Sequence, residues 1–188
     1  ATILRALYET RVRSLESDIS GLRFETFKTG SKICLGPLEV EPIHVDHSVP
    51  AAYGFIVHTS EGTLAYTGDL RVHGTRSQMT DDFIERARQE KPDALLAEGT
   101  NLIGATLTTE SEVQSKISSI IQASSKLVLA DFSNVDVDRF RTFYNVAKQN
   151  GRALAISLRQ AHLLSKLVEE GQIDMPDVAH DENVVVYQ

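Results

Sequence analysis

The sequence has a single cysteine, Cys34, among its 188 residues. It therefore forms no intramolecular disulfide, and a reducing cytoplasm is the default compartment. Cys34 sits in the strand-like run Lys32 to Leu35, where a buried, inert thiol is expected rather than a nucleophile or a metal ligand. No apolar run approaches the roughly 18 residues that a membrane-spanning helix needs, and the opening residues lack a signal-peptide pattern, so no membrane partner is expected. Basic charge is also scarce, with 19 Lys and Arg against 26 Asp and Glu and a formal net charge of −7. That argues against a generally sticky, basic nucleic-acid-binding module. It does not exclude a site where a metal or a local basic cluster supplies positive charge.

What is present is ordinary for a globular protein: 41% apolar and 24% charged residues, enough for one domain with a sizeable core or for two small ones. Thr2 to Arg13 reads as a helix, with Ile3, Leu4, Leu7 and Tyr8 at helical spacing. A chain that opens in mid-helix, without Met or a leading strand, is expected to be a piece of something longer. Leu22 to Lys28 and Lys32 to Leu35 read as strands joined at Thr29-Gly30-Ser31. Leu38 to Val45 follows as a strand, and Tyr53 to Thr59 and Thr63 to Thr67 form a hairpin across Ser60-Glu61-Gly62. The first seventy or so residues thus read as largely antiparallel sheet.

The pattern then alternates between helix and strand. Helices are expected at Thr80 to Glu90 (with Asp81 and Asp82 in the first turn), Glu110 to Ala123, Asp136 to Gln149 and Leu158 to Glu169. An apolar stripe of Val113, Ile117, Ile120 and Ile121 is expected to give the Glu110 helix one buried face. Strands are expected at Ala94 to Ala97 (short and buried), Lys126 to Ala130, Arg152 to Ile156 and Val184 to Tyr187. This βαβα rhythm implies an α/β fold with a mostly parallel sheet covered by helices. The seam between the two regions is expected near Ile103 to Thr109, giving domains over 1–104 and 105–188.

The stretch from Val45 to Gly74 carries the chemistry. It places His47 and Asp69 at the ends of successive apolar strands, beside small residues. Neutral imidazole and carboxylate are both good ligands for zinc and similar ions, but two ligands do not close a site. His44-Val45-Asp46-His47 looks at first like the end of an HxHxDH metal signature. Its first histidine would fall at Pro42, and Ser48-Val49-Pro50 leads into another strand rather than a helix, so that reading is rejected.

The HSVP at His47 to Pro50, the hairpin, and TGD at Thr67 to Asp69 instead resemble the third and fourth metal motifs of the β-CASP nucleases of the metallo-β-lactamase superfamily. Leu95-Leu96-Ala97-Glu98-Gly99-Thr100-Asn101 resembles their motif A, with Glu98 in its acidic position. By that resemblance His47 ligates one metal and Asp69 bridges two. Glu98 takes a catalytic part by orienting a metal-bound histidine, fixing its tautomer and raising its basicity. The resemblance implies an αββα-type metallo-β-lactamase sheet, partial in this chain, followed by a partial β-CASP-type parallel α/β region that includes Asp131 to Asn134, Asp138 and Arg139. It implies two zinc ions that lower the pKa of a bound water and clamp a phosphodiester, RNA as substrate, a cytoplasmic location, and room for a homodimer. None of the six histidines (His44, His47, His58, His73, His162 and His180) makes HxHxDH. In the family that motif lies shortly before a helix like Thr2 to Arg13, so the chain is expected to start just after it.

The remaining candidates have plainer readings. His44 is expected to be structural. His58 and His73 are expected to be surface hydrogen-bonders, His73 being near enough to Asp69 to line the site. His162 and His180 are expected to be solvated. Arg71, Arg76, Arg139 and Arg152 are expected to be solvated or ion-paired rather than bound to phosphate. Against the ribonuclease reading stand a non-catalytic β-CASP scaffold or RNA-binding subunit and, less well matched to the second half, a hydrolase of small esters or lactones.

Overall fold

The computed structural model describes residues 1–10, 19, 21–100, 108–171 and 175–187. The architecture is mixed α/β and divides into two compact units, Phe27–Glu110 on one hand and Ala1–Thr26 with Ser111–Gln188 on the other. Most of the seam expected at Ile103 to Thr109 lies outside the described residues, as does Asn101 of the motif around Glu98.

In the first of these units, β1 (Ile33–Leu35), β2 (Leu38–His44), β3 (Tyr53–His58), β4 (Thr63–Tyr66) and β5 (Ala94–Leu96) form one sheet in that order. The pairs from β1 to β4 are antiparallel, and β5 joins β4 in parallel. Alternation sets the β3–β4 hairpin. Ile56 and Ala65, paired across it, are fully buried, while Ser60-Glu61-Gly62 turns the chain with Thr59 accepting from the Glu61 and Gly62 amides. Helix α2 (Ser77–Glu90) packs on β2, and Phe83 closes a core of Ile43, Val45, Ile56 and Ala65.

Several expectations need correcting in this unit. Leu22 to Lys28 is not a strand, because none of the described residues pairs with it in a ladder; the Ser31 amide closes a turn onto the Lys28 carbonyl and the Gly30 amide reaches Pro42. Cys34 is exposed, since β1 is an edge strand. Helix α2 starts at Ser77, one turn early, so Asp81 and Asp82 are not in its first turn. Strand β5 is exposed at all three residues, being the opposite edge of the sheet.

In the other unit, β6 (Leu154–Ser157) and β7 (Val184–Tyr187) pair in parallel, and the helices are α1 (Thr2–Glu9), α3 (Glu110–Ala123), α4 (Val137–Gln149) and α5 (Leu158–Glu169). Local chemistry sets the helix starts. The Asp136 carboxylate accepts from the Arg139 amide at 2.9 Å and the Ser157 hydroxyl accepts from the Gln160 amide at 3.3 Å, satisfying N-terminal donors that have no partner in the helix. One core gathers Phe140, Tyr144, Ile156, Ala161, Leu164 and Val178; a second joins Ala6 of α1 to Val137, Leu163 and Leu167.

Helix α1 ends at Glu9, where the Thr10 hydroxyl and amide turn back to the Ala6 carbonyl; the rest of the expected Thr2 to Arg13 helix lies outside the described residues. Ile120 is exposed, so the buried face of α3 is narrower than its apolar stripe. Lys126 to Ala130 makes no strand. Leu127 and Leu129 are exposed, and the Arg152 guanidinium, rather than a strand, engages the Lys126 carbonyl. No helix among the described residues is long and apolar enough to cross a membrane.

Candidate functional site

Strand direction brings the candidate residues to one end of the sheet. Strand β3 runs opposite to both β2 and β4, and β5 runs parallel to β4. The C-terminal ends of β2, β4 and β5 therefore share one edge, and His47, Asp69 and Glu98 follow those three ends in turn. A rigid sheet edge with functional residues on its loops is a recurrent way to build a site.

The loops are bonded to one another. After β4, the Thr67 amide donates to the Leu96 carbonyl at 2.9 Å, and the Glu98 amide donates to the Thr67 hydroxyl oxygen at 3.1 Å. The Glu98 carboxylate then accepts from the Leu70 amide at 3.1 Å, so the TGD turn and the strand-end acid hold each other. Gly68 makes that turn possible. Its φ of +57° is left-handed, and a Cβ there would stand 2.5 Å from the Tyr53 carbonyl oxygen.

Next to His47, Asp46 is 2% exposed. Its Oδ1 accepts from the Arg71 guanidinium at 3.1 Å, and its carbonyl accepts from the Arg71 amide at 2.9 Å. Thr80 of α2 completes the set: its hydroxyl oxygen accepts from the Asp46 amide at 3.0 Å and its proton goes to the Arg71 carbonyl at 2.8 Å. This Asp46–Arg71–Thr80 set is what the sequence reading missed. The available signal was an acid just before His47 together with an arginine two residues after Asp69.

His47 is half-buried, and its Nδ1 accepts from the Val49 amide at 3.3 Å. A neutral imidazole has one lone pair, so in this arrangement its proton sits on Nε2. Ligation through Nε2 requires that proton to leave and the Val49 contact to open. Asp69 is exposed and Glu98 half-buried. His47 and Asp69 are suitable donor types for zinc. Among the described residues, however, no three His, Cys, Asp or Glu gather where they could hold a metal. By themselves these residues do not complete a zinc site.

Four of the other five histidines have structural partners. The His44 ring stacks on Tyr53 at 4.8 Å, and burial, helped by the nearby Arg76 charge, holds its pKa below the ordinary 6.5 while Asp46 pulls the other way. His58 lies 3.2 Å from the Thr63 hydroxyl and 3.8 Å from Glu90. His73 is not the expected surface hydrogen-bonder: its Nδ1 is buried with no hydrogen-bond partner among the described residues. His162 is half-buried with its Nε2 2.8 Å from Glu9, whereas His180 is exposed beside Asp177, as expected. Arg71 is ion-paired, and Arg152 donates to the Ser124 carbonyl at 3.2 Å.

No family model matches the chain. It is 29% identical over 149 residues to ribonuclease J of Sinorhizobium meliloti, covering 77% of this chain and 26% of that protein. It is 28% identical over 141 residues to ribonuclease J of Mycobacterium tuberculosis, covering 70% of this chain and 24% of that protein. Among solved structures, a protein of unknown function from Enterococcus faecalis V583 superposes over 99% of this chain and 47% of its own, with a TM-score of 0.70 and 18% identity, which shows a shared fold. These similarities support a ribonuclease J-like relationship for a chain that spans about a quarter of the length of the curated relatives it matches.

Proposed function

We propose that this chain is part of a zinc-dependent phosphodiester hydrolase of the ribonuclease J type, acting on RNA. His47 is a ligand to one metal and Asp69 a ligand bridging two. Glu98 keeps the loop that carries Asp69 in place through the Leu70 amide. The observation that carries the reading is the convergence of the three loops at one sheet edge, the Asp69 and Glu98 loops being joined by the Leu70–Glu98 and Thr67–Glu98 bonds and the His47 and Asp69 loops by Asp46 and Arg71. The similarity to ribonuclease J proteins over about three quarters of the chain supports the same substrate class.

Two donors do not bind zinc tightly, so the proposal requires further donors from outside the described residues. Within the chain, the work of these residues is positional: they fix where a carboxylate and an imidazole stand relative to each other. We also assign the region from residue 105 onward to a β-CASP-type domain, with a cytoplasmic location and a homodimer as the accompanying expectations.

The test is cleavage of a 5′-monophosphorylated single-stranded RNA by the complete protein that contains this chain, with and without a chelator. Shortened products that vanish on chelation and return with zinc support the reading. RNA binding without cleavage at any zinc concentration refutes it in favour of a non-catalytic β-CASP scaffold.

A further inference from the structure

We propose that Asp46 and Arg71 are positioning residues, forming with Thr80 a clamp across the end of β3 that sets the spacing between His47 and Asp69. The role assigned to those two residues rests on the ribonuclease reading; the clamp itself does not.

The need for such a clamp follows from the sheet order. Strands β2 and β4 are not neighbours, because β3 lies between them. Their ends are about two strand spacings apart, roughly 9–10 Å. Ladder hydrogen bonds therefore cannot fix the loop that carries His47 against the loop that carries Asp69. The β2–β3 ladder continues only as far as Val45, whose amide donates to the Ala52 carbonyl at 3.0 Å. One residue later, Asp46 takes up the second loop. Its carbonyl receives the Arg71 amide and its carboxylate receives the Arg71 guanidinium.

Thr80 then fastens both residues to α2, accepting from Asp46 and donating to Arg71 through a single hydroxyl. Asp46 precedes His47 directly, and Arg71 follows Asp69 by two residues, so little chain is left to move between clamp and donor. The packing is tight enough to exclude a side chain at Gly74, where an added Cβ would collide with Arg71 Nε and Asp46 Oδ2.

A buried ion pair is a weak source of stability, because desolvation opposes the attraction, and its better-attested use is to select one arrangement over others. Asp46 fits that description: it is 2% exposed, and its Oδ2 has no hydrogen-bond partner among the described residues. The pair Glu41–Arg86, with contacts of 2.9 and 2.8 Å, supplies the internal comparison. It joins β2 to α2 and touches neither loop.

The experiment uses the complete protein and two readouts, RNA cleavage and amide hydrogen exchange. The variants are Thr80→Val, which removes both hydroxyl bonds at nearly constant shape, the apolar double substitution Asp46→Leu with Arg71→Leu, and the control Arg86→Met. Displacing a reacting group by about 1 Å can cost up to 100-fold in rate. Thr80→Val is expected to lower kcat about tenfold with KM for RNA unchanged, and to raise exchange at the Arg71 amide while the Ile56 and Ala65 amides stay protected. A folded double variant is expected to behave in the same way and more strongly. Arg86→Met is expected to lower stability and leave kcat unchanged.

The clamp is refuted by a Thr80→Val protein with unchanged kcat and unchanged Arg71 exchange, or by an Arg71 amide that exchanges freely in the unsubstituted protein. If the unsubstituted protein cleaves no RNA, the ribonuclease reading fails, and the exchange arm alone decides the clamp.

Discussion

The Glu98 carboxylate accepts the backbone amide of Leu70 at 3.1 Å, so the acid at the end of β5 holds the turn that presents Asp69. A net contribution of about 0.5–1.5 kcal/mol is typical of one such bond, and more when the acceptor is charged. Glu98→Ala is expected to lower RNA cleavage and to speed hydrogen exchange at Leu70. Glu98→Gln keeps an acceptor oxygen and should retain protection at Leu70. Equal exchange in all three proteins would show that this bond does not hold the turn.

Gly68 is the backbone counterpart of that contact. Its left-handed conformation costs a residue with a Cβ about 1–2 kcal/mol, and the Tyr53 carbonyl only 2.5 Å from the added atom increases the strain. Gly68→Ala should therefore destabilise the Phe27–Glu110 unit by about 2 kcal/mol or more, read from urea unfolding followed at the Ile43 and Ile56 methyl signals. A change below about 0.5 kcal/mol would mean the turn relaxes freely.

Acid should weaken the same unit in two steps. Burial lowers the His44 pKa below 6.5, so folding favours its neutral form. That contribution is present above pH 6.5 and is lost as pH falls through the folded value. Hydrogen bonding from Arg86, with its attraction, lowers the Glu41 pKa below 4.5 against the opposing effect of burial. Its contribution is complete above pH 4.5 and disappears as pH falls through the folded value. Stability measured by urea titration across this range should decline in both windows, and Glu41→Gln should flatten the lower one. A lower window of unchanged depth in that variant would remove the pair from the account.

Phe83 is 2% exposed and lies directly over Gly54, where an added Cβ would approach its ring to 2.6 Å. Truncating a buried Phe typically costs about 3–5 kcal/mol. Phe83→Ala is expected to fall in that range, and Gly54→Ala to destabilise as well, because Phe83 of α2 must move off β3. A Gly54→Ala protein of unchanged stability would show that α2 is not held closely.

The parts of the fold that were readable in the sequence are those set by neighbouring residues. The β3–β4 hairpin follows from alternation and a Gly turn, α5 from its apolar face, and β7 from its run of three valines. Pairing is not local, and there the sequence misleads. Lys126 to Ala130 has the composition of a buried strand, yet Leu127 and Leu129 are exposed, and Leu22 to Lys28 likewise joins no strand among the described residues. Similarly, His47, Asp69 and Glu98 stand out by their motifs. Asp46 and Arg71 acquire meaning only once the sheet order places β3 between their loops. His73, read as a surface residue, has a buried nitrogen, and the next residue, Gly74, lies against Arg71 and Asp46.

The central claim is that Asp69 stands in the reactive part of a ribonuclease J-type site. It is exposed at a loop tip, so replacing it should scarcely affect folding. The most direct measurement is the cleavage rate of a 5′-monophosphorylated single-stranded RNA by the complete protein carrying Asp69→Ala, beside its melting temperature. The account predicts a loss of activity of about 100-fold or more with melting unchanged. Unaltered cleavage by a folded Asp69→Ala protein would contradict it.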